Sequence, residues 1–98
     1  MKLKVFSIFD TKLADFAPPF CSLTEASAIR SFTDEINSGQ SPLAKHPEDF
    51  SLYMLAEYDS STGTFDTYSP VNLMTAAAVV KPVPTFELLN GKKETVKK

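Results

Sequence analysis

Residues equipped for chemistry are few and scattered in this 98-residue chain. It has one histidine, His46, and one cysteine, Cys21, too few of the usual ligands for a zinc site. Carboxylates stand as adjacent pairs, Asp34-Glu35 and Glu48-Asp49. Neighbours on a helix or turn do not converge on one point, so these pairs read as solvated surface in place of acid–base machinery. His46 sits between Lys45 and Pro47 with no nucleophile or orienting acid signalled nearby. The three glycines stand far apart, which rules out a phosphate-cradling loop. No catalysis, cofactor or metal is expected.

One combination survives this search. Lys2 and Lys4 share a strand face with Phe6, and Tyr53 lies across from them if the two strands pair. Single-strand binders use that mixture, with bases stacking on rings and phosphates meeting cations. Arg30 and Lys45 are further exposed cations for such a contact, and Arg30 also stands four residues from Asp34 on one helix face. A structural reading fits the same residues: lysines at a strand's start keep an edge soluble, and the rings are core.

Positioning these groups requires a sheet and a helix. Met1–Asp10 alternates as a strand, with Leu3, Val5, Ser7 and Phe9 on one side and Lys2, Lys4, Phe6 and Ile8 on the other. Phe16–Cys21 is extended, but Pro18 and Pro19 confine it to an edge. Ser22–Gly39 carries every helix signal. Ser22 and Glu25 have capping-box spacing, Ala26, Ile29, Phe32 and Ile36 form an apolar stripe, and Gly39 suits a helix stop. Residues 40–49 read as a loop broken by Pro42 and Pro47.

Phe50–Tyr58 is the clearest strand, with Phe50, Leu52, Met54, Ala56 and Tyr58 on one face. Asp59–Gly63 turns the chain into a returning strand, Thr64–Ser69. Pro70–Val80 is ambiguous: Asn72 can cap a short helix through the alanines, the reading preferred here, while Val79-Val80 before Lys81-Pro82 looks extended. The fold class is α+β: a small, mostly antiparallel sheet in β-β-α-β-β order with one amphipathic helix on one face. Residues 1–80 form the single domain, and 81–98 a basic, flexible C-terminal tail.

Charge divides the same way. Residues 1–80 hold 5 Lys/Arg against 10 Asp/Glu, a net −5, while residues 81–98 hold 5 against 2, a net +3, giving −2 for the chain. An acidic body excludes a DNA-condensing protein. It leaves a local basic contact, to which Lys92, Lys93, Lys97 and Lys98 can add phosphate attraction. Cys21 has no partner for an internal disulfide, which fits a reducing compartment or a buried thiol acting as a small apolar side chain, and a buried thiol is expected in preference to a reactive one. No secretory leader or apolar run of spanning length is seen, so a soluble intracellular protein is expected.

These phases leave Phe6, Ile8, Tyr53 and Leu55 on the side away from the helix. Such a patch seldom stays in water. Val71–Val80 folding back, a second copy of the chain, or stacked nucleobases are the three candidate covers.

Three phrases carry a family resemblance: MKLKVFSIFD, AIRSFTDEIN and KHPEDFSLYMLAEYDSSTGTF. Their order and spacing resemble the small nonstructural protein of gokushoviruses, single-stranded DNA phages of the Microviridae, over residues 1–80. The resemblance implies a nonstructural phage protein made in the cytoplasm of the infected bacterium. It also implies DNA binding, or a role in switching viral DNA replication from duplex to single-strand synthesis and packaging. Phage replication proteins are then possible partners, and self-association as a homodimer or larger homo-oligomer is expected. No family motif maps onto individual DNA-contacting positions. The alternative is a homo-oligomeric interaction module that acts on phage or host replication proteins without touching DNA.

Overall fold

Two long strands form the middle of the sheet because both alternate over their whole length. β1 (Lys2–Asp10) pairs antiparallel with β4 (Phe50–Asp59), from Lys2 opposite Asp59 to Asp10 opposite Phe50. The computed structural model describes residues 1–80 of the chain. The expected tail, 81–98, lies outside the described residues.

The far edge of β1 is covered by two short pieces, β2 (Asp15–Phe16) and β3 (Phe20–Ser22). Pro18 and Pro19 separate them, as residues without an N–H must at an edge. The other edge is β5 (Thr64–Thr75), giving the order β2-β1-β4-β5 with β3 also beside β1. β5 runs past its expected end at Ser69 and through Pro70. It does so because the ladder is irregular there: Met54 pairs with Val71 and Ala56 with Thr67, so two steps along β4 match four along β5. The slack lets an edge strand carry a proline. At the hairpin, the Gly63 amide donates to the Asp59 carbonyl (2.8 Å) and Gly63 takes a φ of 73°.

The helix α1 (Glu25–Asn37) begins two residues later than the capping box implies. Ser22 is occupied as the last residue of β3, paired with Lys4. Thr24 is the cap instead, its Oγ1 accepting from the Ser27 amide at 3.0 Å. Gly39 ends the helix at φ 75°. The buried stripe is Ala28, Phe32 and Ile36 with Ile29 half-buried, and Ala26 is exposed.

The expected loop at 40–49 contains α2 (Pro42–Lys45) and a 3₁₀ turn (Pro47–Asp49). Both prolines start helical turns, where a missing N–H costs nothing. The helix expected in Pro70–Val80 is reduced to a 3₁₀ turn, Ala76–Val79. That turn packs on the helix side, with Ala76 fully buried and Asn37 Nδ2 donating to the Val79 carbonyl at 3.1 Å.

One core results. Phe6, Ala28, Phe32, Ile36, Leu43, Leu52 and Ala76 form it, with Ile8, Phe20, Phe50 and Met54 around them. The helix therefore covers the even-numbered side of β1, the reverse of the expected assignment for Phe6 and Ile8. Phe6 and Leu52 are 0% exposed. Burying two large apolar side chains to this extent contributes about 1.5–3 kcal/mol each.

Candidate binding face of the sheet

The side of the sheet away from α1 is built by β1 positions 3, 5, 7 and 9 and their partners on β4. Leu3 pairs with Tyr58, Val5 with Ala56, Ser7 with Tyr53 and Phe9 with Ser51. Simple alternation would put Tyr53 and Tyr58, five residues apart, on opposite faces. A bulge between Met54 and Ala56 inserts Leu55 as an unpaired residue and returns both tyrosines to one face.

Two groups of rings stand on that face. Phe9, Phe16 and Tyr53 form a triangle with centroids 4.8, 5.9 and 5.3 Å apart, and both contacts made by Tyr53 are edge-on. β2 supplies Phe16 because its two residues pair with Phe9 and Asp10. The second group is Tyr58 against Phe65, at 4.9 Å across the hairpin. Phe16 and Phe65 are exposed, Phe65 by 60%. No element among the described residues covers these rings. Val71–Val80, the first of the candidate covers, lies on the helix side where its last residues join the core.

The face is uncharged along both central strands. Lys2, Lys4 and Asp10 of β1, with Glu57 and Asp59 of β4, all register to the other side. Ser7 is the buried polar residue at its centre, and its hydroxyl donates to the Ala17 carbonyl at 2.6 Å. Val5 and Ala56, paired across the same face, are nearly sealed.

The residues expected to contact nucleic acid are not brought together. Phe6 lies beneath the helix, so no base can stack on it without unfolding the core. Lys4 Nζ pairs with Glu57 Oε2 at 3.5 Å, and exposed Lys2 stands opposite Asp59. Neither lies across from Tyr53. Arg30 is exposed beside Thr24, Ala26 and Ser27, and no ion pair joins it to Asp34 among the described residues. Lys45 is exposed in the last turn of α2. Only Tyr53 belongs to the ring-bearing face. Phe9, Phe16, Tyr58 and Phe65 were missed. A serine in mid-strand, Ser7, was the available sign that its side of β1 is not the main core.

Three smaller sites complete the chemistry. His46, Glu48 and Asp49 bring their ligand atoms within 4.8 Å of one another, closer than adjacent positions suggest. The His46 and Glu48 side chains are exposed, an arrangement common without any ion. Cys21 is exposed, contrary to the expected buried thiol, because edge strand β3 holds it. At the hairpin, Asp59 Oδ1 accepts from the Ser61 hydroxyl (2.6 Å) and amide (3.0 Å). These bonds hold its carboxyl below the ordinary carboxylate range, with smaller help from the N-terminal ammonium and Lys2.

No helix among the described residues is long and apolar enough to cross a membrane. Among known proteins, the family model described as phage ORF5 protein matches residues 3–79. No curated protein and no solved structure was found to match the chain. The chain belongs to the phage ORF5 protein family.

Proposed function

We propose that this phage protein is a non-enzymatic DNA-binding factor that holds single-stranded DNA on the ring-bearing face of its sheet. The observation that carries the reading is the pair of ring clusters, Phe9–Phe16–Tyr53 and Tyr58–Phe65, on a face that no other element covers among the described residues. Unpaired bases stack on such rings with little regard to sequence. The two central strands bring no cation to that face, so phosphate neutralisation falls to other lysines, for which the sequence of residues 81–98 supplies five. The acidic body repels further backbone contacts and keeps the footprint short. The resemblance to the gokushovirus nonstructural protein supports a role in the host cytoplasm, at the switch to single-strand synthesis and packaging.

A second reading is favoured by one observation. The ring face has no cation along β1 or β4, which suits a protein partner or another copy of the chain. In that case the rings bury against protein and DNA is irrelevant.

Anisotropy of a short fluorescent oligothymidylate, at two salt concentrations with light scattering on the same sample, separates the two. The DNA reading predicts binding whose logarithm falls with log salt. If the five lysines of 81–98 make the phosphate contacts, the slope is no steeper than about −3.5. The interaction reading predicts no binding at physiological salt and a stable dimer that Tyr53→Glu dissociates.

A further inference from the structure

A cavity of about 300 Å³ lies beside the turn that joins β1 to β2, on the helix side of the sheet. Ile8, Leu43 and Phe50 give it an apolar floor, and Asp10, Asp15 and Glu35 supply three carboxylates. A second recess of about 230 Å³ shares Ile8 and Glu35 with it and adds Phe20 and Phe32, which extends the apolar floor toward α1. At the margin of the first cavity stands Leu13, 74% exposed. It is the most exposed large apolar side chain among the described residues. An apolar hole and an apolar knob stand side by side.

The turn that carries the knob is pinned. Thr11 donates from its amide (2.9 Å) and its hydroxyl (3.1 Å) to the Asp49 carbonyl, just before β4. Asp10 Oδ1 accepts from the amides of Lys12 and Leu13, and Asp10 pairs with Asp15 across the turn. Ala14 is held at a φ of 54°, in a region that residues with a Cβ seldom enter. The backbone therefore accepts strain while Leu13 stays at the margin and in solvent. A side chain presented on so fixed a turn loses little further freedom when a partner buries it.

We infer that the occupant of the cavity is Leu13 of a second copy of this chain, the two copies exchanging Leu13 across a two-fold axis beside the turn. Knob and hole adjoin in one molecule, so a single two-fold operation fills both cavities at once. A foreign partner that filled the cavity would have to bring a hole of its own for Leu13 or leave it in water. Charge agrees with the choice. Lys12 precedes Leu13, and among the described residues no ion pair engages Lys12, Asp10, Asp15 or Glu35. In the exchanged arrangement Lys12 of each copy arrives, with Leu13, at the carboxylates of the other. Asp15 and Glu35 are exposed, so carboxylates left without a lysine stay hydrated. Their excess opposes association, and salt screens it. The contact is centred on one turn, which puts the dimer in the small, transient class of interfaces.

The test uses the full chain without DNA, so its failure is distinct from failure of the proposed function. Sedimentation equilibrium in about 0.3 M salt, at up to about 1 mM protein, is expected to show monomer and dimer in exchange. Isotope-filtered NOE spectra of mixed labelled and unlabelled chains are expected to connect the Leu13 methyls of one copy to Ile8, Leu43 and Phe50 of the other. Leu13→Asp brings a carboxylate to an apolar floor rimmed by three more, and is expected to weaken association at least about tenfold. Its circular-dichroism spectrum should be unchanged, because Leu13 is outside the core. Lys12→Glu is expected to weaken association by a smaller factor. A chain that stays monomeric at every concentration overturns the proposal. A dimer that survives Leu13→Asp also overturns it, and if Tyr53→Glu dissociates that dimer, the interface is the ring face. Leu13 contacts to the cavity found only within single chains overturn it as well, and show the leucine filling its own cavity.

Discussion

The two faces of this five-stranded sheet are made from the same strands and do opposite things. The helix side is sealed: Phe6 and Leu52 are wholly buried against Phe32 and Ile36, and Ala76 and Leu43 close the margins. The other side is open and aromatic, with rings on β1, β2, β4 and β5 and no charged residue along the two central strands. The larger cluster of buried apolar side chains lies on the helix face, while the other face buries only Val5 and Ala56 among its apolar residues. A protein can leave five rings partly in water only if the other face stabilises the fold without them. Ring for ring, Phe6 and Phe65 mark the extremes, 0% and 60% exposed.

The largest expected effect breaks the sealed side. Phe6→Ala leaves a cavity below α1 and is expected to cost about 3–5 kcal/mol, read as a lower denaturant midpoint in chemical unfolding. Phe65→Ala, by contrast, is expected to cost less than about 1 kcal/mol, because most of its ring is already in solvent. A large loss at Phe65 would show that the open face also supports the fold.

The next effect concerns binding. Replacing Tyr58 with alanine is expected to weaken oligothymidylate affinity by about 1–3 kcal/mol, the worth of one stacked base. The salt slope should stay constant, because no phosphate contact is removed. Lys4→Ala should leave affinity nearly unchanged, since Lys4 is paired with Glu57 on the helix side.

A smaller effect sharpens the account of how the sealed face is assembled. Thr24→Ala should cost about 1 kcal/mol through the lost cap, whereas Ser22→Ala should cost less than half as much. Thermal unfolding of the two variants compares them directly.

The smallest effect is on pH. The Asp59 carboxyl is held below its ordinary pKa in the folded protein, first by the Ser61 hydroxyl. Its contribution is therefore present above the unfolded carboxylate pKa and is lost as pH falls through the lower folded value. The Ser61 amide resonance should follow this titration, and Asp59→Asn should abolish it. Neither ring face nor core should respond.

Much of this architecture was legible in the sequence. The alternation of β1 and β4, the Phe32–Ile36 stripe, the edge character of the Pro18–Pro19 segment and the positive φ of Gly39 and Gly63 each follow from local chemistry. The face assignment did not follow, because alternation gives two faces but not which one the helix chooses. Phe6, Ile8, Leu52 and Met54 could be matched only once Leu55 was known to bulge, and a bulge has no reliable signature in a run such as Tyr53-Met54-Leu55-Ala56. For the same reason Tyr53 was recognisable as a candidate contact, while Tyr58 was assigned to the core. Ser22 illustrates a second limit. It has good cap chemistry, but a tertiary contact, the pairing of β3 with Lys4, took the residue first. Phe16 became a site residue only through the two-residue strand that places it beside Phe9.

The claim on which the account depends is that the open face binds and the sealed face does not. The most direct measurement is oligothymidylate anisotropy on the full chain and on Tyr53→Ala/Phe65→Ala, each confirmed as folded by circular dichroism. The account predicts binding by the parent chain and a loss of at least about tenfold in the double variant, one ring from each cluster. Equal affinity in the two proteins, with the fold intact, would contradict it and move the binding site off the ring face.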